Sequence, residues 1–156
     1  MLTLFSKEKL NIYVAAYYRG AGKRDHWALH IGGASADPDT APDMHVFQVI
    51  HGRPFFTYQH NPTSDLLRSE RAKKWVVIGT VAAWRKGTLN SMLGEIDRLL
   101  GDIRVINDDE NWCCQDWTRS AVEVLEKEGY VGVGTVPRIG DLLGKVGPLE
   151  TGDAGS

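Results

Sequence analysis

Two periodicities divide the chain. In the first half, apolar residues recur at every second position or run without interruption. Residues 10–18, LNIYVAAYY, are rich in β-formers and free of breakers until Gly20 and Gly22, which predicts a strand. The run HWALHI (26–31) alternates, with Trp27, Leu29 and Ile31 on one face and His26, Ala28 and His30 on the other; Gly32 and Gly33 close it. MHVFQVI (44–50) predicts a third strand, with His45, Phe47 and Val49 sharing a face. PFFTYQH (54–60) is a fourth and KKWVVIGTVA (73–82) a buried fifth. RGAGKRD (19–25) and the proline-containing ASADPDTAPD (34–43) read as loops, and the charged residues 63–72 as a loop or short helix.

The second half changes period. In TLNSMLGEIDRLL (88–100), Leu89, Met92, Leu93, Ile96, Leu99 and Leu100 fall on one helical face, and Gly101 stops the run. An acidic connector (102–111) leads to CCQDWTRSAVEVLEKE (113–128), whose stripe is Trp117, Ala121, Val124 and Leu125, ended by Gly129. A short helix is expected over 138–146 and a loose tail over 151–156. Strands followed by helices predict one α+β domain over 1–150, an antiparallel sheet of about four to six strands packed against helices.

Composition narrows the class without naming it. The 156 residues suit one domain, and 42% hydrophobic with 24% charged residues is ordinary for a globular protein. A net charge of −2 and the lack of a basic stripe argue against nucleic acid as a partner. The opening apolar run is broken by Lys7, Glu8 and Lys9, unlike a secretory signal, and no window approaches a membrane span. A cytoplasmic protein without stable membrane insertion is the expectation.

The two cysteines are neighbours, Cys113 and Cys114. Adjacent cysteines bridge poorly because the small ring strains the peptide between them, so a structural disulfide is not expected. Cys114 opens an amphipathic helix, where unpaired N–H groups and the helix dipole favour a thiolate and can hold an oxyanion. A thiolate needs a proton partner, commonly a histidine distant in sequence. Of His26, His30, His45, His51 and His60, His26 opens a strand directly after a loop, at the sheet end nearest an incoming helix. If the next strand pairs with it, His45 becomes its neighbour and can hold or polarise the ring.

KRDHWALHIG (23–32) resembles the histidine strand of the lecithin:retinol acyltransferase-like proteins, DMHVFQVI (43–50) their next strand with a second histidine, and NWCCQDWTRSAVEVL (111–125) their cysteine helix. The wider group is the circularly permuted papain-like, NlpC-like fold, in which the histidine strand precedes the cysteine helix. An uncharacterised fungal family with His-Trp-Ala-Leu and Asn-Cys-Gln-x-Trp motifs is closer still. The resemblance spans about residues 10–130 and implies Cys114 as nucleophile, His26 as base and His45 as the third member. Gln115 then stands at the family's Glu position, Asp116 at its His and Trp117 at its Phe. Cys113 replaces the usual asparagine, Arg24 stands where the acyltransferases often carry a tyrosine, and their membrane anchor has no counterpart here.

The expected chemistry is hydrolysis of a peptide, isopeptide or small amide through an acyl-thioester on Cys114, without a cofactor. His26 removes the thiol proton and later protonates the leaving group, as in a catalytic triad. Trp112, Trp117 and Gln115 are the candidates to line a substrate pocket, with core packing the better default for both tryptophans. Acyl transfer is the runner-up, and a catalytically inactive binding module on the same fold is a third reading. Cys114 as a small buried hydrophobe remains open from the residues alone. A zinc site from His26, His30, Cys113 and Cys114 fails on spacing, since the histidines stand about 13 Å apart along a strand.

Overall fold

The computed structural model describes residues 9–22, 24–33, 44–51, 55–63, 72–82, 89–109 and 111–143. The charged stretch expected at 63–72 and the expected tail over 151–156 fall almost wholly outside these residues. Five strands come first: β1 (Lys9–Tyr17), β2 (His26–Gly33), β3 (Met44–His51), β4 (Phe56–Thr63) and β5 (Ala72–Ala82). Three helices follow: α1 (Leu89–Gly101), α2 (Cys114–Lys127) and α3 (Thr135–Leu143). The strands form one sheet in the order β4-β3-β2-β1-β5, every neighbouring pair antiparallel. The fold is therefore α+β, a five-stranded antiparallel sheet packed against helices.

The alternation read from the sequence decides which face the helices cover. Leu10, Ile12, Val14 and Ala16 of β1 join Trp27, Leu29 and Ile31 of β2 and Phe47 and Val49 of β3 on one face. Against them pack Met92, Leu93, Ile96 and Leu100 of α1, Trp117, Ala121, Val122 and Leu125 of α2, and Ile139 of α3. The largest of these, Trp27, Phe47 and Trp117, are almost wholly withdrawn from water. A side chain of this size contributes on the order of 2–3 kcal/mol when fully buried.

Two irregularities position the site. In β5, Ile12 of β1 faces Gly79 but Tyr13 faces Val77, so Ile78 forms a bulge that bends the strand. Beside the bulge, a Cβ on Gly79 would lie 2.9 Å from Val131 Cγ1 and 3.2 Å from the Tyr130 carbonyl, so only glycine lets the segment after α2 approach β5 this closely. That segment turns sharply through Gly129 at φ +84°, with Gly129 N–H bonded to Glu126 O and Tyr130 N–H to Leu125 O. This is the paired-bond helix ending that glycine favours.

The second irregularity is in β2. Its ladder with β1 runs the full length of the strand, from Tyr17↔His26 to Leu10↔Gly33. Its ladder with β3 covers only Leu29↔Phe47, His30↔Val46 and Ile31↔His45. At its first residues β2 has lost β3 as a partner, and its backbone groups there need others.

The short C-terminal helix begins at Thr135, three residues earlier than the apolar pattern suggests. Thr135 Oγ1 and N–H both reach the Gly132 carbonyl and start the turn there.

Candidate active site

The first turn of α2 supplies what β3 does not. The backbone N–H of Trp27 lies close enough to the Cys114 sulfur to favour its thiolate. Thr118 Oγ1 lies 3.4 Å from the Trp27 carbonyl and 2.8 Å from the Cys114 carbonyl. Gln115 Nε2 donates to the Asp25 carbonyl at 2.9 Å. The residues on both sides of His26 are thus bonded to α2, although 90 positions separate Asp25 from Gln115.

The helix start is itself well fixed. Cys113 is the N-cap, in extended conformation at φ −150°. Its N–H donates to Asp116 Oδ2 at 2.9 Å, and its carbonyl accepts from Asp116 N–H at 3.0 Å and Trp117 N–H at 3.2 Å. A carboxylate at the third helical position is the half of a capping arrangement that satisfies the cap's own N–H. Arg119 holds the other Asp116 oxygen at 2.7 Å.

Both sulfurs are buried, Cys113 at 6% exposure and Cys114 at 2%. The Cys114 thiol is pulled down to about 7. The main cause is the hydrogen bond it accepts from Cys113, aided by the N–H of Trp27, the Arg19 charge and its own N–H, against the opposing effect of burial. Cys113 is pushed far up, because its proton is held by the Cys114 sulfur and because it is buried. The two sulfurs titrate as a pair that loses one proton readily and the second with difficulty. Arg24 Nη1 donates to Cys113 Sγ at 3.1 Å.

The His26 ring is coupled electrostatically to Cys113. Its Nε2 is 2.7 Å from Gln48 Oε1, an oxygen that can only accept. Nε2 therefore carries the proton and the neutral ring keeps its lone pair on Nδ1. Burial lowers the His26 pKa, more than the Gln48 bond raises it, so the imidazole is neutral at pH 7. The thiolate here is stabilised mainly by Cys113 and by N–H groups, and an imidazolium is not its principal partner.

The third member differs from the expectation. His45 stands opposite Ile31, five residues from His26, or roughly 16 Å along an extended strand. Its Nδ1 is 3.0 Å from His60 Nε2, and His60 Nδ1 is 3.3 Å from Asp97 Oδ1 on α1. His60 also stacks on Phe47 at 4.2 Å. His45 belongs to this second cluster on the helix-covered face, and Gln48 is the residue that holds His26.

The residues expected to line a pocket have other tasks. Trp117 is completely buried, with its ring 5.6 Å from that of Tyr58, so it is core. Gln115, 3% exposed, ties α2 to Asp25. Trp112 is half-buried and packs edge-on against Phe56 at 5.4 Å. His30 is buried; its Nε2 lies 2.8 Å from the Tyr17 hydroxyl, and burial pushes its pKa down to about 3. Among the described residues, no group of three histidine, cysteine, aspartate or glutamate side chains is placed to hold a metal ion. Nor is any helix among them long and apolar enough to cross a membrane.

The chain is thus an α+β protein with a buried, readily ionised dithiol at a helix N-terminus, set against a histidine strand. It belongs to a family of unknown function (DUF6540), whose model matches residues 12–132. That stretch runs from β1 past the end of α2 and contains Arg24, His26, Gln48, Cys113 and Cys114. No curated protein and no solved structure matches the chain.

Proposed function

We propose that the protein is a cysteine-dependent hydrolase of the permuted papain-like type, cleaving an amide through an acyl-thioester on Cys114. The observation that carries this reading is the docking of α2 onto the start of β2. It puts a thiol pulled down to about 7 against the backbone of Trp27, the residue after His26. A buried cysteine that merely fills space is raised by burial and stays protonated.

The residues divide the work as follows. The Cys114 thiolate attacks the carbonyl carbon. Backbone N–H groups at the start of α2 stabilise the oxyanion. His26, with Nε2 fixed by Gln48, offers Nδ1 as the proton-transfer nitrogen; it takes the thiol proton and returns it to the departing amine. Water activated by the same nitrogen releases the acyl group. Gln48 keeps the ring in the tautomer this requires, the part played by the third member of a triad. Substrates are peptides or other small molecules. With Cys114 only 2% exposed, entry requires local opening around the first turn of α2.

Incubation with a panel of activated esters and amides, followed by intact mass measurement, tests the proposal. One acyl group should add to the wild type, map to Cys114 and be lost with time. Cys114→Ala should neither acylate nor turn over substrate. Full activity in Cys114→Ala would end the reading. An acyl adduct passed to an added amine or alcohol in preference to water would turn it toward acyl transfer.

A further inference from the structure

The second cysteine helps to hold the Cys114 thiolate and forms no bond to substrate in acyl chemistry, yet it is held with care. Cys113 is buried, its N–H and carbonyl are both engaged in capping α2, and its sulfur receives a hydrogen bond from a guanidinium. Arg24 is itself only 9% exposed. The ion pairs formed between described residues, His60–Asp97 and Arg119–Asp116, do not include it. Burying a cation without an anion is costly. A neutral thiol offsets little of that cost, whereas a thiolate at Cys113 would offset much of it.

We propose that Cys113 and Cys114 form a hydroperoxide-responsive dithiol, in which Cys114 is oxidised to a sulfenic acid and Cys113 then closes a reversible disulfide onto it. The inference shares with the hydrolase reading only the thiolate at Cys114 and does not depend on acyl chemistry.

The steps balance. The Cys114 thiolate attacks a hydroperoxide oxygen; the S–O bond forms, the O–O bond breaks, and the departing alkoxide or hydroxide takes a proton to leave as alcohol or water. Sulfur loses two electrons and the peroxide gains them. The Cys113 thiolate then attacks the Cys114 sulfur; the S–S bond forms, the S–O bond breaks, and the hydroxide leaves as water with the Cys113 proton.

The site changes character between these steps. While Cys114 is an anion, its bond to the Cys113 proton and its charge keep Cys113 protonated. A sulfenic acid at Cys114 carries no charge, so both causes weaken. Burial still opposes ionisation of Cys113, but the Arg24 guanidinium and the Gln115 N–H, which favour its thiolate, are no longer countered by a neighbouring anion. Oxidation of one sulfur thus activates the other.

The strain that argues against a structural bridge here supports a reversible one. A disulfide between neighbouring residues closes an eight-membered ring, and strained disulfides are the ones readily reduced by cellular thiols. The ring also distorts the Cys113–Cys114 peptide, which anchors the first turn of α2. Closing it removes the nucleophile and loosens the helix start together. Hydrogen peroxide reaches sulfurs this buried through the same local opening of the first turn of α2 that a substrate requires.

The test is intact and tandem mass spectrometry of the full chain treated with hydrogen peroxide, with and without dimedone, a sulfenic-acid trap. The wild type should lose two hydrogen masses, show a Cys113–Cys114 link, take up little dimedone and recover fully with dithiothreitol. Cys113→Ser should instead accumulate a dimedone adduct on Cys114 and proceed to sulfinic acid. Arg24→Gln should form the sulfenic acid but close the ring measurably more slowly, because the guanidinium that favours the Cys113 thiolate is gone. Dimedone trapping in the wild type equal to that in Cys113→Ser would overturn the proposal. So would irreversible oxidation with no loss of two hydrogens. If iodoacetamide labels Cys114 and peroxide produces no linked species, the redox proposal fails and the hydrolase reading stands. If Cys114 is inert to both reagents, both fail.

Discussion

Gln48 Oε1 and His26 Nε2 are 2.7 Å apart, on strands whose backbone ladder does not reach either residue. The bond is made by side chains alone across the opening between β2 and β3. It fixes the one property of His26 that acid–base work on Cys114 requires, a lone pair on Nδ1. Gln48→Ala should leave the fold intact, since Gln48 is only half-buried. It should lower the rate of Cys114 acylation roughly hundred-fold through misorientation of the ring. Gln48→Glu should restore much of the rate and raise the His26 pKa, because a carboxylate accepts the same bond and favours the charged ring. Steady-state rates and a histidine NMR titration measure the two effects. An unchanged rate in Gln48→Ala would remove Gln48 from the site.

The thiol titration should follow the dithiol and not an isolated cysteine. Iodoacetamide should label Cys114 with a rate that rises through pH 7, since the thiol is pulled down to about 7. Cys113→Ala removes the largest cause of that shift and leaves the opposing burial in place. The midpoint should therefore move upward, and labelling at neutral pH should slow. A midpoint unchanged between wild type and Cys113→Ala would show that the neighbouring thiol does not set it.

The five strands in chain order, the residues that share a face in β2 and β3, and the two long helices were legible in the sequence, because each follows from a period that burial imposes. Trp27, Leu29 and Ile31 do face the helices. Cys114 does open α2. What was not legible is which residue of β3 meets His26. Antiparallel partners share a face, and Ile31↔His45 puts His45 with Ile31 on the helix side, while His26 shares its parity with Ala28 and His30. Residues of β3 on the His26 face are therefore Val46, Gln48 and Ile50. Register across a long connection is fixed by the connection and by packing, and alternation within one strand does not disclose it. The tryptophan beside the cysteines misled for a related reason. Proximity to a nucleophile in sequence says little here, because Trp117 is taken up wholly by the core, to which Cys114 also belongs.

Acid should weaken the fold through His30. Its pKa is about 3 in the native state and near 6.5 when unfolded, so between these values the unfolded chain binds more protons. Stability is fully present above pH 6.5 and declines as the pH falls toward 3. Urea unfolding at pH 7 and pH 5 should show a lower midpoint at the acid value. In His30→Gln, which retains an acceptor for the Tyr17 hydroxyl, the difference between the two pH values should shrink. His26, also lowered by burial, leaves a residual slope of the same sign.

The close approach of β5 to the end of α2 gives the last expectation, and it bears on the site because α2 carries both sulfurs. A methyl group at Gly79 meets Val131 Cγ1 at 2.9 Å and the Tyr130 carbonyl at 3.2 Å, closer than either contact tolerates. Gly79→Ala must push the 130–131 segment outward and should cost about 1–3 kcal/mol, as overpacking of a filled core does. Val131→Ala alone loses burial, but combined with Gly79→Ala it removes the nearer of the two obstructions. The double variant should be more stable than the sum of the two single losses implies, a coupling expected only of residues in contact. Thermal unfolding of the four proteins in the cycle measures it; strict additivity would mean that β5 and the chain after α2 do not meet at Gly79 and Val131.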